Sequence, residues 1–219
     1  MNDSYATYPN YSRAERIADA AVHALGLLFG LAACVSLAVT ALPSEDLLLP
    51  VALGLYGLGL LAMLGCSALY NLSRHGRWKM VFRRLDHAAI FVMIAGTYTP
   101  FTLVVLGDGW GYGLLAFVWT VALAGVALKL FWPHRLDRLS VAAYLLLGWS
   151  IVVAAGPLVA AVSPAGLVLL AVGGGLYSLG VVFHLWHRLP YQNAIWHAFV
   201  LAAVACHFSA VLSEGALAA

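Results

Sequence analysis

Seven stretches of about 18–25 residues, each apolar and almost free of charge, dominate this chain; a helix needs about 20 such residues to cross roughly 30 Å of hydrocarbon. They run approximately from Ile17 to Ala41, Leu47 to Leu72, Ala88 to Leu106, Tyr112 to Phe131, Leu139 to Ala155, Pro164 to Leu185 and Ile195 to Leu212. Strands of an outer-membrane barrel would instead alternate apolar and polar residues over about ten positions. The fold class is therefore all-α, a seven-transmembrane helix bundle. Charge is correspondingly scarce, 11 Lys+Arg and 9 Asp+Glu in 219 residues, too little to cover the surface of a soluble globule. A soluble enzyme, a disordered chain, a nucleic-acid binder and a secreted disulfide scaffold are all excluded. Turn residues such as Pro43-Ser44 and Gly107-Asp108-Gly109 separate the runs. The expected organisation is an N-terminal segment 1–16, the bundle 17–212 and a short tail 213–219. The polar stretch Met1 to Arg16 has no apolar core before a cleavage site, so the first span is expected to serve as an uncleaved insertion signal.

The basic residues predict the orientation. Arg13 and Arg16 precede the first span; Arg74, Arg77, Lys79, Arg83 and Arg84 lie between the second and third. Lys129, Arg135 and Arg138 lie between the fourth and fifth, and Arg188 between the sixth and seventh. These are all 11 basic residues. The opposite face has Glu45, Asp46, Asp108 and Glu214. Basic loops stay on the cytoplasmic side, which predicts a cytoplasmic N-terminus, an external C-terminus and a multi-pass protein of the cell membrane. The loops themselves are expected to contact anionic headgroups, and the lipid bilayer is the one partner composition implies; the oligomeric state is left open.

Polar residues inside or at the ends of spans are costly in lipid and therefore informative. Ser67 and Asn71, four apart, end the second span; Asp86 and His87 open the third; Asn193 and His197, again four apart, open the seventh; His23 sits near the start of the first. A bundle can bring these to one depth around a single cavity. Two readings stand at this point: a hydrogen-bonded network that ties helices together, or a chemical or binding site. Asp86 is the member hardest to explain by packing, although Arg83 and Arg84 are near enough in sequence to neutralise it. His184 and His187 border a loop, His75 lies in a basic loop, and His207 reads as a hydrogen-bonded core histidine. Cys34, Cys66 and Cys206 form no CxxC pair and read as packing residues. Gly26-x-x-x-Gly30 and Gly173-Gly174-Gly175 allow close helix approach. Ser67, Asp86 and His197 are the residue types of a hydrolytic triad, but no nucleophile elbow surrounds Ser67.

Several ordered motifs resemble the bacterial hemolysin III family, which stands with the progestin and adipoQ receptors. They are Ser67-Ala-Leu-Tyr-Asn71, Leu85-Asp86-His87-Ala-Ala-Ile90, Ala95-Gly96-Thr97-Tyr98-Thr99-Pro100 and Phe131-Trp132-Pro133. The run from Leu189-Pro190-Tyr191 through Ile195-Trp196-His197 to Cys206-His207-Phe208 adds to these, as do Glu15, His23 and Gly26 in the first span. The resemblance covers essentially the whole chain. It implies seven helices with a cytoplasmic N-terminus. It also implies a zinc site on that side, made by a histidine four residues after Ser67 and an H-x-x-x-H pair opening the seventh span, with Asp86 acting through a zinc-bound water. This chain departs there: Asn71 and Asn193 stand at two of the three histidine positions, and only His197 remains. Zinc prefers His, Cys and carboxylate, so zinc at those positions is expected to be weak or absent. The two amides are expected to donate to Asp86 and His197 instead, and His87 and His187 are the nearest histidines in sequence for any repair. Three functions follow: a lipid-state sensor or membrane lipid homeostasis factor with a degenerate zinc site, a zinc-dependent hydrolase of lipid amides or esters with Asp86 and Ser67 as its catalytic residues, and a transporter or channel.

Overall fold

The computed structural model describes residues 11–73, 76–132 and 137–218. Arg74, His75, Pro133 and Arg135 lie outside the described residues, and so do the expectations placed on them. Seven helices long and apolar enough to span a membrane occur among those described: α1 (Arg13–Ala41), α2 (Leu48–Leu72), α3 (Arg77–Leu106), α4 (Gly109–Phe131), α5 (Leu139–Ala161), α6 (Pro164–Leu185) and α7 (Gln192–Leu217). No strand occurs among them. The starts of α1, α3 and α7 and the end of α2 share one end of the bundle, where the basic residues of the described chain collect.

Local chemistry sets the ends of these helices. Ser12 caps α1 by accepting from the Glu15 backbone N–H while the Glu15 carboxylate accepts from Ser12 N–H at 2.8 Å, a reciprocal capping box. Lys79 Nζ donates to the Tyr70 and Ser73 carbonyls at 3.1 and 3.2 Å, supplying a cation where the C-terminus of α2 leaves carbonyls unpaired. Gly107 takes a left-handed φ of 57° after α3, and Asp108 then caps α4 through Gly111 N–H at 2.9 Å. Ser163 caps α6 ahead of Pro164, and its hydroxyl donates to Glu214 of α7 at 2.6 Å. That bond explains why the segment 213–219, expected as a tail, continues α7 as helix through Ala218 with Glu214 buried.

Two irregular stretches sit inside spans, where every freed backbone group needs a protein partner. After Pro100, which lacks an N–H, α3 continues to Leu106 in the wider π-helical form. In α5 the residues Ser150–Ala154 form a tighter 3₁₀ turn. The buried Tyr98 hydroxyl of α3 meets this break: it accepts from Ile151 N–H at 2.8 Å and reaches the Leu147 and Gly148 carbonyls at 2.9 and 2.7 Å. This repair lets α5 run to Ala161, six residues past the end expected from hydropathy.

Leu53, Tyr56 and Leu60 of α2 join Val204 and Val211 of α7 and Ala33 and Leu37 of α1 in the main core. Phe91, Ala95, Val118 and Ala122 form a second core between α3 and α4. The outward residues of α1, among them Leu28, Leu31, Val35 and Val39, are more than half exposed and recur at three- and four-residue spacing. That is a lipid-facing stripe, while Asp19 and His23 of the same helix are buried. Gly26 and Gly30 serve the α1–α2 contact, since a Cβ on Gly30 would meet Leu64 at 2.8 Å.

Candidate functional site

The centre of the site is Asp19, on the second turn of α1. Its carboxylate meets His197 Nδ1 at 2.6 Å through Oδ1, and accepts from Asn193 Nδ2 at 3.0 Å through Oδ2. His23, one turn further along α1, places Nε2 3.6 Å from Oδ2. The two imidazole rings lie 4.4 Å apart, tilted by 53°. Asp19, His23 and His197 are all buried. From α2, Asn71 accepts from Asn193 Nδ2 at 3.1 Å and donates from its own Nδ2 to the Ser67 carbonyl at 2.9 Å. Asp86 of α3 lies beside the Ser67 hydroxyl, within electrostatic reach of His23 and Arg83. Four helices thus meet at one polar junction.

The start of α1 is tied down at this junction. Glu15 accepts from Tyr191 N–H at 2.9 Å, holding Tyr191 at a φ of 59° that a non-glycine residue rarely adopts. Tyr11 donates to Gln192 Oε1 at 3.3 Å, and Gln192 donates to the His184 carbonyl at 2.9 Å. Burial first, then the negative charges of Asp19 and Glu15, push the Tyr11 phenol above its ordinary pKa. These contacts fix the register of α1 against α7 and so set the distance between Asp19 and His197.

The structure places Ser67, Asn71, Asp86, His87, Asn193, His197 and His23 around one cavity of about 1350 Å³. Several expectations change. Asn193 donates to Asp19 and Asn71, and Asn71 to Ser67, so neither amide bonds Asp86 or His197 as expected. The cause is Asp19: a buried carboxylate between α1 and α7 is a stronger acceptor than any other group within reach of Asn193. His23, and neither His87 nor His187, is the histidine beside His197. His87 packs its ring edge-on against Tyr70, 6.5 Å between centroids, and His187 is exposed. His207 bonds the Leu170 carbonyl at 3.2 Å, as a core histidine does, and the three cysteines are free. Asp19 is not among the residues that the sequence analysis singles out. Its signal was present: Asp19 and His23 stand four apart, the same one-face spacing as Ser67 and Asn71 and as Asn193 and His197.

A family profile described as Haemolysin-III related matches residues 12–208, nearly the whole chain. The chain belongs to this haemolysin-III-related family. Among its relatives, a protein named Hemolysin-3 homolog from Bacillus subtilis (strain 168) is 40% identical over 198 residues, covering 90% of this chain and 93% of that one. Hemolysin-3 of Bacillus cereus is 39% identical over 198 residues, 90% of each chain. A human protein named monocyte to macrophage differentiation factor is 29% identical over 181 residues, 77% of this chain and 72% of that one.

The zinc implied by the family resemblance can be tested against the donors. At positions 71 and 193 it would meet amides that are already bonded to each other, to Asp19 and to Ser67. Those two residues do not fit as zinc ligands. A different set does come together: one donor atom each from Asp19, His23 and His197, all within 4.8 Å of one another.

Proposed function

We propose that this haemolysin-III-related protein handles membrane lipid, taking one amphiphile into its cavity with the polar end at the Asp19–His197 junction and the apolar part along the bundle. The observation that carries this reading is the lining of the cavity. Toward the end where α1, α3 and α7 start, the lining is polar, with Arg16, Asp19, Asn71, Asp86, Asn193 and His197; elsewhere the walls include Ile151, Leu158, Leu167, Leu170 and Val200. A volume of about 1350 Å³ exceeds the roughly 300–1,000 Å³ of common small-molecule pockets. With the basic loops on the cytoplasmic side, the polar end faces the cytoplasm, and occupancy of the cavity then couples lipid composition to the α1–α7 junction. This is the chemistry of a lipid-state sensor or lipid homeostasis factor. Native mass spectrometry of the protein drawn from membranes tests it. About one co-purifying single-chain or two-chain amphiphile per protein is expected, and Val200→Trp, which fills the cavity beyond His197, should strip it. Equal lipid retention in both proteins would remove the reading.

A second reading, hydrolysis of a lipid amide or ester, rests on the Ser67–Asp86 pair bordering the same cavity. Asp86 would act there as general base, a role worth about 10²–10⁴ in rate. Asp86→Asn is then expected to lower lipid hydrolysis by that factor in reconstituted vesicles, and unchanged turnover would remove the role.

A further inference from the structure

We propose that Asp19, His23 and His197 form a three-ligand site for a divalent first-row transition metal, zinc being the best fit, with Asn71 and Asn193 outside the coordination sphere. The site goes beyond the lipid reading and does not depend on it. Three observations carry it. First, the donor atoms already lie within 4.8 Å of one another, against a separation of roughly 3.4 Å between ligands on a tetrahedral zinc with bonds near 2.1 Å. Reaching that spacing means opening the 2.6 Å Asp19–His197 contact and drawing the wider separations in, by side-chain rotation on two helices that the Glu15–Tyr191 bond holds together.

Second, the Nε2 atom of His23 is buried and has no hydrogen-bond partner. Buried polar atoms are nearly always paired, and this one is directed at the Asp19 carboxylate, 3.6 Å away and beyond hydrogen-bond range. A metal between the three side chains would take up that nitrogen. Third, the surrounding bonds orient the acceptor. Asn193 donates to Asp19 and is itself placed by Asn71, which Ser67 holds in turn. Outer hydrogen bonds of this kind fix ligating carboxylates and contribute about 10–100-fold in metal affinity.

Two imidazoles, one carboxylate and no thiolate suit zinc with an open fourth position, and also iron(II). The ligand set is therefore relocated by one helix: the carboxylate and imidazole of α1 supply what positions 71 and 193 lack.

The experiment uses the full chain in detergent, stripped with chelator, dialysed against zinc and assayed by elemental analysis. About one zinc per chain is expected. Asp19→Asn, His23→Gln and His197→Gln should each weaken zinc binding at least tenfold, and Asn193→Ala by about tenfold. Cobalt(II) substitution gives a second readout: visible bands of a nitrogen- and oxygen-ligated ion, without thiolate charge transfer, that vanish in His23→Gln. Circular dichroism confirms that each variant keeps its helices, and any variant that loses them is replaced by Asp19→Ser, His23→Asn or His197→Asn, none of which restores a carboxylate or an imidazole. Absence of zinc above background in the wild-type chain overturns the proposal. So does zinc that survives both Asp19→Asn and His23→Gln, or zinc that binds only after Asn71→His and Asn193→His are introduced together.

Discussion

Asp19→Ala is expected to destabilise the bundle by about 3 kcal/mol, the upper end of the cost of removing a hydrogen-bonded charged group and leaving its buried partner unsatisfied. The buried carboxylate accepts from His197 at 2.6 Å and from Asn193 at 3.0 Å, and both donors belong to α7 while Asp19 belongs to α1. Truncation leaves the buried His197 Nδ1 without its partner and removes one of the two acceptors of Asn193 Nδ2, which keeps Asn71. An ordinary interhelical hydrogen bond in a membrane averages only about 0.6 kcal/mol, so the predicted loss distinguishes a charged junction from a routine contact. Asp19→Asn keeps one acceptor oxygen and should cost less, about 1 kcal/mol. Ser36→Ala, which removes only a bond to the carbonyl of its own helix at Ala32, should cost almost nothing. Denaturant unfolding in detergent after chelation, so that metal occupancy does not enter, measures all three. A loss below 1 kcal/mol in Asp19→Ala would show that the junction contributes no more than a routine contact.

Gly96→Leu is expected to be comparably severe, about 3 kcal/mol at the upper end of ordinary overpacking costs. A Cβ at Gly96 would stand 3.1 Å from the Leu55 carbonyl oxygen, and one at Gly59 would stand 3.2 Å from the Val92 carbonyl oxygen. The two glycines thus face each other's helices across the α2–α3 contact, and the obstructing atoms are backbone, which cannot rotate aside. The helices would have to separate, displacing Ser67 and Asn71 on α2 from Asp86 on α3. Gly113→Ala and Gly54→Ala are the controls: a Cβ at either position meets nothing within 4 Å. In those two, alanine's better helix propensity favours a small gain or no change. The same unfolding assay separates the pairs, and equal stability for Gly96→Leu and Gly113→Ala would contradict the close approach.

Much of the architecture is legible from hydropathy because lipid permits so few solutions. A backbone that cannot bond to water must be helical or a closed barrel, and continuous apolar runs leave only the helix. The bounds of α6, Pro164–Leu185, agree with the sequence reading to the residue, since Ser163-Pro164 is an unmistakable helix start. Hydropathy sets the start of α3 too late, at Ala88, where the helix begins at Arg77. Its first turns carry Arg77, Lys79, Arg83, Arg84 and Asp86, and hydropathy cannot tell an amphipathic helix end from a loop. The length of α5 escaped for another reason: its continuation past Ser150 depends on Tyr98, 52 residues away in sequence.

The candidate site divides in the same way. Ser67, Asn71, Asp86, Asn193 and His197 are visible as polar residues at span ends, because each is costly in hydrocarbon wherever its neighbours lie. Asp19 is equally costly, yet its meaning emerges only when α1 is laid against α7, bringing together atoms 178 residues apart. The amino-acid sequence by itself determined the seven helices, the polar character of one end of the bundle and the two asparagines where the family resemblance implies histidines, since these follow from residue type and local spacing. Only the tertiary structure decided which carboxylate the cluster is built on, because pairing between distant helices is set by packing and has no local periodicity to betray it.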